Sequence, residues 1–181
     1  DNGKIDSGWV KIGRPGEDYF NKSLAYITAN LYRTEYRSTS IGKYNATIYA
    51  NDSYGNVGHG GTILEWDVFG HANLSLISPD EGNYPIASVV KTKCKVKDAN
   101  ITAPIEDYPI RFYHGEDFLG INTTNSSGVA IYNINTSGYS EGSNEIRCRI
   151  FDNSSLHYYK NIDKDSTLIN ILYPQTNLTN L

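Results

Sequence analysis

Apolar and polar residues alternate with period two along several short stretches of this chain, as they do in strands whose side chains point to opposite faces in turn. Residues 90–97 keep the rule best. Val90, Thr92, Cys94 and Val96 fall on one face, and Lys91, Lys93, Lys95 and Lys97 on the other. Residues 146–150 repeat the arrangement, with Cys148 between Ile146 and Ile150 on one face and two arginines on the other. Further strands are predicted over 108–113, 118–121, 129–134 and 167–173, separated by turn-forming stretches such as 114–117 and 122–128. Short strands with a turn about every ten residues predict a sandwich or barrel. No stretch has the i, i+3, i+4, i+7 spacing of a substantial amphipathic helix.

Cys94 and Cys148 stand 54 positions apart (148 − 94) and are the two cysteines of the chain. Neither belongs to a C-x-x-C pair, so zinc or a thioredoxin-type site has little support. Each lies at the middle of an inward strand face, which is what an inter-sheet disulfide requires. Two free buried thiols are the other reading. An exported chain favours the bond, and closing a loop of that length would stabilise a domain by roughly 3–4 kcal/mol.

The strand containing Cys94-Lys95-Val96, the segment Pro109-Ile110-Arg111-Phe112-Tyr113, Gly120, the run from Asn125 to Tyr132 and Glu145-Ile146-Arg147-Cys148 together form a recognisable series. Through them, residues 85–174 resemble the immunoglobulin-like domains found in tandem on bacterial and, especially, archaeal surface proteins. Phe112 stands where the antibody pattern has Trp, and Ile146 where its tyrosine corner would be. The likeness is therefore to the broad superfold, which hosts many functions.

The first half carries part of the same pattern. Residues 44–53 overlay 144–153 with an offset of 100, placing Ala46, Ile48 and Ala50 at Ile146, Cys148 and Ile150. Ile48 takes the place of the cysteine, so this unit has no disulfide. Residues 62–68 would be its last strand, and the join at 74–79 resembles 169–174. Repetition at about a hundred residues is a tandem array. Residues 42–56 also resemble the G-x-Y-x-x-x-I-x-A-x-D-x-x-G-N signature that ends many immunoglobulin-like or PKD-like surface domains. That family normally has two strands before the one at 9–12, and only eight residues precede Trp9. The resemblance thus implies an all-β chain of two tandem immunoglobulin-like β-sandwich domains, 1–73 and 74–181, the first incomplete at its N-terminus. Missing strands would leave an open edge and an uncovered apolar face. A fragment of a longer array, a smaller sheet packed on the second domain, and a strand donated by another subunit remain alternatives. The strand at 167–173, with its polar tail, is a conceivable donor.

Composition changes this picture little: 39% hydrophobic, 20% charged, a net charge of −4, fifteen Tyr against five Phe, and no Met. The charge gives no pull toward nucleic acid or an anionic membrane. No window is apolar enough for membrane insertion. The absence of Met fits a processed or excised chain.

N-x-S/T acceptors change it more. They occur at Asn21, Asn45, Asn51, Asn73, Asn100, Asn122, Asn125, Asn135, Asn153 and Asn177, where roughly three or four would arise by chance at this composition. Asn45 should face solvent beside inward Ala46 and Ile48, and Asn122, Asn125, Asn135 and Asn153 fall in predicted turns. N-linked glycans are expected at several, with unmodified turn formers as the other reading.

Catalytic patterns are weak. His59, His71, His114 and His157 have no metal-ligand spacing. Gly58-His59-Gly60-Gly61 lacks the ending of a phosphate loop, and Asp80-Glu81 and Glu116-Asp117 read as hairpin tips. No cofactor is expected; calcium on Asp52 and Asp152, or Asp163 and Asp165, has no loop motif behind it. The lysine face 91–97 would suit an acidic glycan or simple solubility, and Tyr158 and Tyr159 would suit sugar stacking or packing. The expectation is a non-catalytic, glycosylated extracellular structural or adhesive component of an envelope, S-layer or filament, whose partners are neighbouring copies or domains. The alternative is a carbohydrate- or protein-binding accessory module of a larger secreted enzyme.

Overall fold

The structure, a computed structural model, describes residues 5–28 and 31–174. The chain divides into two compact units, Asp1–Phe69 and Gly70–Leu181.

In the first unit the strands are β1 (Ile5–Arg14), β2 (Glu17–Ser23), β3 (Ala25–Thr28), β4 (Leu31–Arg33), β5 (Gly42–Asp52), β6 (Val57–His59) and β7 (Leu64–Val68). β1 lies between β2 and β5, and the far side of β5 pairs with β7 along its first half and β6 along its second. β3 and β4 form a separate antiparallel pair. Register puts Val10 opposite Ile48, Ile12 opposite Ala46 and Tyr44 opposite Trp66, so these six share a face. Val10, Ile12, Tyr44 and Ala46 are buried there, under Phe20, Tyr36, Trp66 and Val68. Tyr44 and Trp66 stack at 5.3 Å between centroids, and the Tyr36 ring lies against both. The cover ends there. Ile48 is 44% and Leu64 52% exposed on the same face, and no second sheet beyond the β3–β4 pair occurs in this unit among the described residues. Ile48, read from the repeat as an inward counterpart of Cys148, is thus inward by register but only half buried, lining an open recess with Leu24, Leu31 and Tyr32.

The second unit contains β8 (Gly70–Ser78), β9 (Gly82–Pro85), β10 (Val89–Asp98), β11 (Pro109–His114), β12 (Asp117–Thr123), β13 (Val129–Asn135), β14 (Gly142–Arg149), β15 (Tyr158–Ile162) and β16 (Lys164–Leu172). They form two sheets, ordered β13-β10-β8-β15 and β12-β11-β14-β16-β9. β8 runs antiparallel to β10; after a cis Ser78–Pro79 bond, β9 changes sheets and pairs parallel with β16. An opening strand shared between two sheets, joined by a disulfide from β10 to β14, is the immunoglobulin-like sandwich. Its inward faces meet in two clusters, one around Cys94, Cys148, Phe112 and Tyr108, the other around Ile146, Ile169 and Ile171.

Two expectations change. The division falls before residue 70, not after 73, because β8 runs through that point and Ala72 already pairs with Asp98. The strand expected at 167–173 is the end of β16, which stops at Leu172; β14 pairs with it on one side and, over Ile169–Leu172, β9 on the other. Along Ile169–Leu172 it has no free edge to donate, and its polar tail lies outside the described residues.

The offset of 100 is geometric as well as textual. Gly42 and Gly142 both open their strands at positive φ, 129° and 98°, where a residue with a Cβ is strained. Two residues on, the Tyr44 hydroxyl donates to the Ser40 carbonyl at 2.9 Å and accepts from the Ser40 amide. Asn144 Nδ2 donates to the Ser140 carbonyl, also at 2.9 Å. Each side chain reaches back to a backbone group four residues upstream, as a tyrosine corner does. The corner stands four positions before Cys148 and its counterpart, not two.

Candidate functional site

Cys94 and Cys148 are bonded, with their Cα atoms 6.7 Å apart. Strand alternation buries both completely. Phe112, directly opposite Cys148 on β11, stacks on Tyr132 at 5.1 Å, so an aromatic pair covers the bridge where antibody domains use Trp.

Nine of the ten sequon asparagines fall among the described residues, and none of the nine is buried; Asn177 lies outside them. Asn144, which begins no sequon, is buried. Asn21 and Asn100 are exposed. Asn125 and Asn135 are exposed too, and each uses Oδ1 to accept turn amides, from Ser127 and Val129 and from Ser137, leaving Nδ2 unbonded. Asn153 does the same from Leu156 at a half-buried site. Asn122 differs: its Nδ2 donates to the Ile131 carbonyl at 2.8 Å. Asn45, expected to face solvent freely, is half-buried with Nδ2 3.4 Å from the Tyr19 hydroxyl. Asn51 is half-buried with Oδ1 unpartnered, and Asn73 Oδ1 accepts from Asn161 and Ile162.

The acids considered for calcium are engaged separately. Asp52 Oδ1 accepts from the Tyr54 and Asn56 amides and Oδ2 from Asn56 Nδ2; these bonds, Asn56's side chain first, hold its carboxyl below the usual range. Asp152 accepts from the Lys160 amide, Asp163 pairs with Lys160 Nζ at 3.0 Å, and Asp165 accepts from the Leu76 amide. Among the described residues no three His, Cys, Asp or Glu side chains gather as a metal site would require. Among them, too, no helix is long and apolar enough to cross a membrane. The histidines are dispersed; His114 stacks on Tyr139 and bonds Asn144.

Lys91, Lys93, Lys95 and Lys97 project outward from β10, each spaced two residues along one strand. Tyr158 packs edge-on to Tyr108 at 6.4 Å, and burial raises its phenol to about 12.

The opposite sheet holds a cluster that strand alternation alone does not reveal. On the outer face of β14, Arg147 meets Glu145 at 2.6 Å and Glu116 at 2.7 Å; the hydrogen bonds it donates to these carboxylates raise its pKa. Two positions on, Arg149 is directly opposite Arg111 on β11 and Lys164 on β16. Phe151 lies beside them, its ring centroid 4.4 Å from Arg111 Cζ, 5.5 Å from Arg149 Cζ and 5.9 Å from Lys160 Nζ. The outward direction of each arginine is readable from its buried neighbours; their juxtaposition needs the register.

No family model matches the chain, and no curated protein matches it. Solved structures similar to it include fibronectin(III)-like modules of Clostridium thermocellum CbhA, with 14% identity over 100% of this chain and 85% of that one, TM-score 0.44. The Yersinia pseudotuberculosis adhesin InvE shows 12% identity over 94% of this chain and 50% of that one, TM-score 0.45. The CARDB domain from Pyrococcus furiosus shows 12% identity over 57% of this chain and 96% of that one, TM-score 0.43. At these values the likenesses add nothing to a fold already argued from its own topology.

Proposed function

We propose that this chain is a non-catalytic, N-glycosylated structural or adhesive component of a cell surface, working by spacing and assembly. The observation that carries the reading is the placement of the sequons. None of the nine described acceptors is buried, five being exposed and four half-buried, while Asn144, in the core, begins no sequon. Asn21, Asn100, Asn125 and Asn135 are the sites best suited to carry a glycan, since each is exposed with Nδ2 unbonded among the described residues; Asn122 would first have to release Ile131. The disulfide supports an oxidising compartment.

Assembly is supported by the first unit. Ile48 and Leu64 are about half exposed on a face whose other members are core, and burial of that apolar surface would be favourable by about 25 cal/mol per Å². A second copy of the chain is the proposed occupant, in an envelope layer or filament. Mass spectrometry of the native protein tests the glycans: peptides containing those four asparagines should carry added hexose-type mass, and a native mass equal to the bare chain would overturn the glycoprotein reading. Sedimentation velocity tests the assembly. Association that weakens in Ile48→Asp is expected; a monomer at every concentration would refute it.

A further inference from the structure

We propose that the outer face of the β11–β14–β16 sheet is a binding site for the carboxylate or sulfate groups of an acidic polysaccharide, with Arg111 and Arg149 as its anchors. This goes beyond the glycosylated-surface reading and stands on the cation row alone.

Arg111, Arg149 and Lys164 face one another on three adjacent strands. Like charges directly opposite in a sheet are destabilising, so such a row calls for a counter-charge. Arg147, on the same strand face, has two carboxylates. Among the described residues Arg111, Arg149 and Lys164 have none within ion-pair distance; Asp163, whose carboxyl feels Arg149, is bonded to Lys160, and Glu145, whose carboxyl feels Lys164, is bonded to Arg147. Arg149 Nε is buried and has no hydrogen-bond partner. The Phe151 ring holds both guanidiniums by cation–π contact, which fixes their position without neutralising them. A pre-set pair of planar guanidiniums is suited to bidentate oxyanion recognition.

The lysines of β10 make a useful contrast. They run along one strand, about 6.5–7 Å apart for alternate residues, with no aromatic ring between them. Their hydrated ammonium groups are point charges on flexible stems. The arginine row runs across strands, at about 4.8 Å spacing, and converges on one ring.

The site is the face of a sheet, not an edge. A peptide recognised through its main chain would add to an edge, whereas a ligand lying across the face must bring its own charges. Ile121, opposite Arg111 on β12, and Phe118, opposite Tyr113, are exposed beside the row and offer apolar surface to sugar rings.

Biolayer interferometry with the intact protein and polygalacturonate, chondroitin sulfate, neutral dextran, poly-L-glutamate and sodium sulfate tests the proposal. Either acidic polysaccharide should bind, dextran should not, and binding should weaken with salt. Arg111→Gln/Arg149→Gln should lose at least tenfold in affinity without a lower Tm, since a repulsive pair is removed; Lys93→Gln/Lys95→Gln should bind as the parent does. Equal losses in both variants, tighter binding of poly-L-glutamate than of either polysaccharide, or a response to free sulfate alone would each overturn it. Should Arg111→Gln/Arg149→Gln prove unstable, Arg111→Lys/Arg149→Lys keeps the charge but not the planar fork, and unchanged affinity there would overturn the arginine-specific geometry.

Discussion

Reducing the Cys94–Cys148 bond should destabilise the second unit and leave the first unaffected. The two cysteines close a loop of 54 positions. The chain-entropy relation then gives about 4 kcal/mol at 25 °C for the constraint it places on the unfolded chain. With a urea m-value of roughly 1.5 kcal/mol/M, within the range for small domains, the midpoint should fall by about 2–3 M. The chain supplies its own reporter for the other half: Trp9 and Trp66 are its two tryptophans, and both lie in the first unit. Tryptophan fluorescence therefore follows the first sheet, and far-UV circular dichroism follows both. Adding reductant should shift the later, dichroism-only transition and leave the fluorescence transition in place. A midpoint shift below about 0.3 M would refute the loop-entropy reasoning at this m-value. Fluorescence and dichroism shifting together would refute the assignment of separate unfolding units.

Tyr44→Phe removes the hydroxyl that bonds both backbone groups of Ser40, so the first unit should lose about 1 kcal/mol, read by tryptophan fluorescence in urea. Asn144→Ala should cost the second unit more, about 1–3 kcal/mol, because it strands the His114 ring nitrogen and two carbonyls around a buried site. The second unit should also weaken in alkali: burial raises the Tyr108 and Tyr139 phenols to about 12, above their unfolded value of about 10. The neutral phenols' contribution is complete below about pH 10 and is lost as pH rises toward about 12, so midpoints that stay flat across that window would contradict the burial argument.

β10 and β14 were legible because each has one face buried and one polar, which writes the period of two directly into residues 90–97 and 146–150. β2 and β15 carried no such signal. β2 is exposed at every position but Phe20, and β15 is an added edge strand with four of five residues exposed. Their membership follows from pairing, which a single strand's pattern does not encode. The corner at Tyr44 and Asn144 was missed for a different reason: it sits two residues earlier than in antibody domains, so inspection of Ile146 finds only a core aliphatic. The cation row depended on register. Arg111 meets Arg149 because Phe112 meets Cys148, and the disulfide strand's partner could be aligned only once the sheet was in view.

The incomplete first domain was the other expectation drawn from the repeat, and it leads to the sharpest comparison within one sheet. Ile12 and Ile48 lie on the same face, but Ile12 is 2% exposed and Ile48 44%. Truncating Ile12 to alanine should cost about 2–5 kcal/mol, the range for a buried aliphatic whose cavity cannot fully collapse. Ile48→Ala removes a side chain that still touches water, and should cost less than about 1 kcal/mol in dilute, monomeric protein. If a second copy covers this face, the Ile48→Ala penalty must grow with protein concentration, since burial of the side chain then belongs to the associated state, while the Ile12→Ala penalty stays fixed. Equal penalties in dilute protein would mean that the face is already covered within the monomer, and the assembly proposal would lose its physical basis.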